Sequence, residues 1–157
     1  MVEQIKIKKV GEGDVDADVE FLFGLRNEPT VFEYARNNHT VEKEEHLAWI
    51  EGILTGQSNK TLFIVEFEGQ RAGQIRFDKL ENGVFEISIA LAPDFRGRGV
   101  GKKALQLGVE KVKLEQKAEK IIAVVNKQNI GSLRFFEKAN FILQNQEGDW
   151  LTHILEI

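Results

Sequence analysis

From Thr61 to Leu91 the chain runs through three successive stretches rich in β-branched and aromatic residues, broken only by the turns Glu68-Gly69-Gln70 and Glu81-Asn82-Gly83. Such runs, closed by glycine-bearing turns, make antiparallel strands, so Thr61–Glu68, Arg71–Lys79 and Val84–Leu91 are expected to form a meander. The rest of the chain has to be arranged around that sheet. The next segment, DFRGRGVGKKALQLGVEKV from Asp94 to Val112, places three glycines and four cations between Arg96 and Lys103. It leads into a helix over Ala104–Ala118, by the spacing of Leu105, Val109 and Val112. Lys120–Val125 is then a short, almost wholly apolar strand, expected to be buried on both faces.

The flanks follow the same logic. Gln4–Val10 near-alternates and reads as a half-buried strand. A helix begins at Asp14 or Asp16, with Val19, Phe21, Leu22 and Leu25 on its apolar side and acidic residues at its positive end, and Pro29 marks its stop. A second helix starts near Thr40, carries Leu47, Trp49, Ile50, Ile53 and Leu54, and exits at Gly56. Gly131–Ala139 makes a short helix, followed by strands over Phe141–Asn145 and Trp150–Ile157 around Glu147-Gly148-Asp149. The order is β-α-α-β-β-β-α-β-α-β-β, an α+β (mixed α/β) class. At 157 residues and 42% hydrophobic content it is expected to form one domain over residues 1–157.

Several function classes are disfavoured. A net charge of −4, from 21 basic and 25 acidic residues, gives no global attraction to nucleic acid or anionic lipid. Absence of cysteine removes disulfides, thiolate nucleophiles and cysteine zinc sites, and no apolar run approaches the ~18 residues of a membrane span. A cytoplasmic location is expected. His39, His46 and His153 have no metal-binding spacing such as H-E-x-x-H, so no metal site is expected, and each reads as a surface or capping residue.

A helix start with exposed amides, glycines and added cations is an anion cradle suited to a phosphate or pyrophosphate. A Walker loop would need glycine at Arg96 and a hydroxyl residue at Lys103. Gly99-Val100-Gly101-Lys102-Lys103-Ala104 fits a dinucleotide fingerprint in letters, yet it opens no N-terminal βαβ unit, and the next strand ends at Asn126 rather than an acidic residue. The remaining pattern is R-x-x-G-x-G at Arg96, Gly99 and Gly101. With the later run NKQNIGSLRFFEKANF, it resembles the GNAT superfamily of acetyl-CoA-dependent N-acetyltransferases over nearly the whole chain.

That resemblance implies a mixed sheet of about seven strands, splayed between the fourth and fifth, with acetyl-CoA in the gap. It places pantetheine against Ile89, Ala90 and Leu91, and the pyrophosphate on the amides of Gly97, Arg98, Gly99, Val100, Gly101 and Lys102, with charge from Arg96, Arg98 and Lys102. Asn129, Ser132, Phe136 and Lys138 would line the other side. It also implies direct acetyl transfer to a neutral amine, which needs a proton acceptor. In FEISIAL, Glu86, Ser88 and Ala90 lie opposite the apolar face, and the preceding turn should pair Asp78 with Glu86 and Arg76 with Ser88, so Glu86 is the candidate base. Neighbouring carboxylates would favour the protonated form of one of them. The family's usual tyrosine acid is replaced by Phe136, which leaves Ser132 or Tyr34 as substitutes.

The segment LRNEPTVFEYARNNHTVEKEEHLAWIEGIL is similar to the N-terminal regions of GNAT enzymes that acetylate nucleotide-activated amino sugars, and also to those that modify protein N-termini. Arg26, Asn27, Asn38, His39, Arg76 and Glu86 are the candidate acceptor-binding residues, and Trp49 is expected to pack. The acceptor is thus a small-molecule or peptide amine, the alternative a non-catalytic CoA-binding domain, and the assembly a monomer or homodimer.

Overall fold

The structure, a computed structural model, describes residues 4–157, and Met1 to Glu3 of the N-terminal segment lie outside the described residues. Strands β1 (Ile5–Lys9), β2 (Lys60–Phe67), β3 (Gln70–Glu81) and β4 (Val84–Leu91) form an antiparallel meander. Its first tight turn has Glu68 at φ 51° and Gly69 at φ 81°, the left-handed pair that a two-residue hairpin of matching twist demands. The second, Asn82-Gly83, sets the expected register: Phe77 pairs with Ile87, Asp78 with Glu86 and Arg76 with Ser88. At Gly73 an added Cβ would lie 2.3 Å from the Ala90 carbonyl oxygen, so β3 and β4 can approach there only without a side chain.

β5 (Lys120–Asn126) runs parallel to β4 but pairs with it only from Val84↔Lys120 to Glu86↔Ile122. With β6 (Ile142–Glu147) and β7 (Trp150–Glu156), the sheet has seven strands in the order β1-β2-β3-β4-β5-β7-β6. Helices α1 (Val15–Arg26), α2 (Pro29–Phe32), α3 (Lys43–Leu54), α4 (Val100–Gln116) and α5 (Ile130–Lys138) complete the fold. Among the described residues no helix is long and apolar enough to cross a membrane.

β2 shows how the sheet is covered twice. Phe63 and Val65 enter a core with Val100, Ala104 and Phe136 of α4 and α5, whereas Leu62 and Ile64 enter a second core with Leu22 of α1 and Ile50 of α3. The α4 contact is close: a Cβ at Gly108 would meet Ile75 Cδ1 at 2.9 Å and Phe77 Cε2 at 3.0 Å. Phe77 and Phe85 are fully buried beneath it, each worth about 1.5–3 kcal/mol of transfer free energy. A polar clasp joins the other side: the buried Asp18 of α1 accepts from Lys8 Nζ of β1 at 2.7 Å and from Arg71 Nε of β3 at 2.8 Å.

The structure corrects several expectations. Pro29 opens α2 instead of only ending α1, because proline's missing N–H costs nothing at the first helical position, and the Glu28 side chain caps that turn. α4 begins at Val100, before the apolar stripe suggested, because the fully buried Val100 is already a core residue. β5 is not buried on both faces: Ile121, Ala123 and Val125 are buried, but Ile122, Val124 and Asn126 are only half-buried, since the strand borders an open gap. His46 and His153 are buried, not on the surface, because α3 and β7 turn them inward.

Candidate active site

Where pairing between β4 and β5 stops after Glu86, the two strands diverge and leave a cavity of about 580 Å³. β4 residues of both parities reach it: Glu86, Ser88 and Ala90 from one sheet face, and Ile87 and Ile89 from the other. Val124, Val125 and Asn126 of β5 face them across the gap, with Ser132 and Phe136 of α5 and its cap Asn129 behind. Beyond Glu86, the β5-facing backbone edge of β4 has no ladder partner among the described residues, which suits it to an extended ligand laid along the strand.

At the end of β4 the glycine-rich turn enters α4. The N–H groups from Gly97 to Lys102 have no backbone acceptor among the described residues. Gly97 and Gly99 take φ of 71° and 78° with open space where a Cβ would be, and the first turn of α4 has no acidic residue. These donors lie at the positive end of α4 without a competing acidic side chain, which is the chemistry a diphosphate such as the pyrophosphate of acetyl-CoA requires. Gly101 matters differently, since a Cβ there would come within 3.2 Å of Phe135 Cε1 and push α4 from α5.

The arginines of this turn are engaged. Arg96 donates from Nε to the Leu91 carbonyl at 3.1 Å and from Nη1 to Thr30 Oγ1 at 2.8 Å, tying the turn to β4 and α2. Arg98 lies 4.7 Å above the Phe67 ring and donates to the Asp94 carbonyl. Lys102 is exposed on the first turn of α4. Asn129 caps α5 by accepting from the Ser132 N–H at 3.2 Å. Lys138 is exposed in the last turn of α5 and does not line the cavity.

The opposite wall carries charge and rings. Asp78 accepts from Arg76 Nε at 2.8 Å and Lys60 Nζ at 3.3 Å, and the Arg76 guanidinium lies 5.5 Å from the Trp49 ring centre. Glu86 accepts from Arg36 Nη1 at 3.1 Å. The two carboxylates are therefore opposite in register, as expected, but each has its own cation. Trp49 packs on the second core and also forms cavity wall, as does Tyr34. Phe136 is buried edge-to-face against Phe135 and Phe141 and presents no hydroxyl.

Of the acceptor-side candidates, Arg26, Arg76 and Glu86 line the cavity, while Asn27, Asn38 and His39 do not. The Asn27 side chain is committed to both backbone groups of Val41, at 2.8 and 3.0 Å. His39 turns Nδ1 to the Thr40 carbonyl, and Asn38 is exposed. Sequence reasoning missed Arg36, Lys60, Gln74, Asn126 and Trp150, all of which line the cavity. Hairpin register had the means to find Gln74, which lies opposite Ala90, and Lys60, opposite Asp78. Nothing local marks Arg36, fifty residues from its partner.

His46 sits on the cavity wall between Phe23 and Trp49, with ring centroids at 5.5 and 5.9 Å, and its Nε2 has no partner among the described residues. Burial pushes its pKa below the ordinary 6.5; Arg26 and Lys43 push the same way, against a Val19 backbone hydrogen bond and Glu20. Below that ordinary value the unfolded chain binds the proton more readily, so stability falls on acidification. Denaturant titrations at successive pH values are expected to show wild type losing stability below about pH 6.5, with a ceiling of ~1.4 kcal/mol per pH unit, and His46→Leu losing less. Identical pH slopes would contradict this.

Comparison with known proteins places these features in context. A family model described as an acetyltransferase (GNAT) domain matches residues 14–142. The acetyltransferase PseH of Campylobacter jejuni is 27% identical over 147 residues, covering 93% of this chain and 90% of PseH. The crystal structure of PseH in complex with acetyl coenzyme A is similar at a TM-score of 0.73 and 24% identity, covering 97% of this chain and 98% of that one. Spermidine N-acetyltransferase from Vibrio cholerae, in complex with CoA and spermine, gives 0.84 at 15% identity, covering 98% and 95%. At these identities the structural likeness speaks to the fold alone.

Proposed function

This chain belongs to the GNAT acetyltransferase family and is an acetyl-CoA-dependent N-acetyltransferase, and we propose that its acceptor is the primary amine of a nucleotide-activated amino sugar. The observation that carries the acceptor class is the set on the wall beside Glu86. Lys60 and Arg76 converge on one carboxylate, Asp78, and leave an excess positive charge next to the Trp49 ring. A diphosphate answers the charge, and a base or sugar ring answers the tryptophan face. On the cavity wall the Asn37 amide, the amide nitrogen of Asn126, whose Oδ1 accepts from the Gln128 N–H, and the Gln74 Oε1, whose Nε2 donates to Ser88 Oγ, can meet hydroxyls.

When bound, acetyl-CoA would supply the acetyl thioester, and the amides from Gly97 to Lys102 are the groups that would hold its diphosphate. Glu86 receives the acceptor's ammonium proton at a carboxylate oxygen, directly or through one water, which frees the nitrogen lone pair for attack. The β4 edge and α5 hold the two partners side by side, so proximity contributes much of the rate. With Phe136 lacking a hydroxyl, Ser132 Oγ and Tyr34 Oη, with Ser88 Oγ a third that lines the cavity, are the hydroxyls proposed to give a proton to the leaving sulfur as the C–S bond breaks and to take in its place the surplus proton of the acylated nitrogen. Residues 1–157 act in this reading as one domain.

The test is thiol release from acetyl-CoA across an amine panel: a UDP-linked 4-amino sugar, the free amino sugar, a polyamine and N-terminal peptides. The nucleotide sugar is expected to exceed each of the others at least about tenfold in kcat/KM, the value of one lost phosphate-binding contact. Preference for peptides would transfer the assignment to protein N-termini. Tight acetyl-CoA binding with no thiol release from any amine would mark a non-catalytic CoA-binding domain.

A further inference from the structure

Arg36 lies on the segment joining α2 to α3, and its guanidinium crosses the cavity mouth to the far wall. Nη1 donates to Glu86 Oε2 at 3.1 Å, and Cζ stands 5.7 Å from the Trp150 ring centre at the start of β7. The segment's base is fastened elsewhere. Arg26 donates to the carbonyls of Asn37 and His39, and Asn27 holds Val41. Its hold on the β4 side is therefore the Arg36 contact.

We propose that Glu86 and Trp150 form a cation site that Arg36 fills as a built-in competitor, and that the acceptor's ammonium enters by displacing it. The inference rests on Glu86 being the carboxylate that meets the acceptor nitrogen. A carboxylate beside an aromatic face is the pairing that recognises an organic cation. Other cavity cations are committed: Lys60 and Arg76 to Asp78, and Arg26 to backbone carbonyls. Among the described residues Glu86 has one cation partner, and the side chain of that partner, Arg36, is 60% exposed. Such a pair is weak, so it yields to a ligand without a large penalty.

Exchange of one cation for another leaves the local charge unchanged, whereas a neutral ligand entering the same place would strand Glu86 without a partner. Arg36 thereby favours amines that arrive as ammonium ions, and their proton passes to Glu86, the group that has just lost Arg36. It also explains why an exposed segment with little secondary structure carries a side chain reaching a residue fifty positions away.

The test separates cation binding from acetyl transfer. Methylguanidinium chloride is titrated into the protein alone, against sodium chloride at equal ionic strength, and the Trp150 indole N–H resonance is followed by NMR. Saturable binding at millimolar concentration is expected in Arg36→Ala, little in wild type or Arg36→Lys, and none in Arg36→Ala/Glu86→Gln. In kinetics, with whichever amine proves to be turned over, Arg36→Ala is expected to lower acceptor KM about three- to tenfold, as removal of one weak ion pair would. Methylguanidinium should inhibit that variant competitively. A raised acceptor KM in Arg36→Ala, or equal methylguanidinium shifts in wild type and variant, would overturn the inference. The titration needs neither sugar nor acetyl-CoA, so its outcome is independent of the acceptor assignment.

Discussion

Glu86→Gln is expected to lower kcat by about 10²- to 10⁴-fold, the usual contribution of a positioned proton acceptor. The side chain keeps its size and can still accept a hydrogen bond from Arg36, but it no longer takes a proton from an ammonium. Acetyl-CoA KM should change little, because the proposed diphosphate cradle lies at the far end of β4, beyond Leu91. Raising the pH should partly restore the rate, since more of the amine then arrives already neutral. The fold should survive, as Glu86 is partly exposed and its pair with Arg36 is a weak one. A variant with unimpaired kcat, and the wild-type pH profile, would remove Glu86 from the proton route.

The second large effect concerns stability. Asp18→Ala is expected to destabilise the protein by about 3–5 kcal/mol, because it leaves two cations facing each other where a buried carboxylate joined them. Asp18 is fully buried, while Lys8 and Arg71 keep 22% and 31% of their side chains exposed. The clasp links β1, α1 and β3, and the carboxylate also sits in the positive first turn of α1. In thermal unfolding the loss corresponds to a Tm lower by on the order of 10 °C. Replacing all members together, Lys8→Met, Asp18→Leu and Arg71→Met, should recover much of it, since well-packed apolar residues avoid the desolvation cost. A loss below about 1 kcal/mol in Asp18→Ala would show that water or neighbouring groups already serve the two cations.

The fold was legible where its causes are local. Gly69 and Gly83 fixed two hairpins, and with them the pairing of Asp78 with Glu86. The acidic start of α1 was legible too, with Asp14 as its cap. The glycines at 97 and 99 announced a tight left-handed turn into α4, because left-handed backbone followed by a helix is a short-range property. His46 was misjudged for the opposite reason: Lys43, Glu44 and Glu45 before it suggest a polar face, and only the packing of α1 on α3 brings Phe23 to the side opposite Trp49, one helical turn on. Arg96 and Arg98 likewise looked like free cations, and tertiary contacts with Leu91, Thr30 and Phe67 engage them.

The order of the seven strands and the four longer helices, the meander's register and the place of the left-handed glycine turn were determined by the sequence by itself, because each depends on residues a few positions apart. Only the tertiary structure decided that Arg36 meets Glu86 and Trp150, that Asp18 is clasped from two strands, and how wide the gap beside β4 opens. Those contacts join residues tens of positions apart, and no periodicity in the chain encodes which distant side chains packing will bring together.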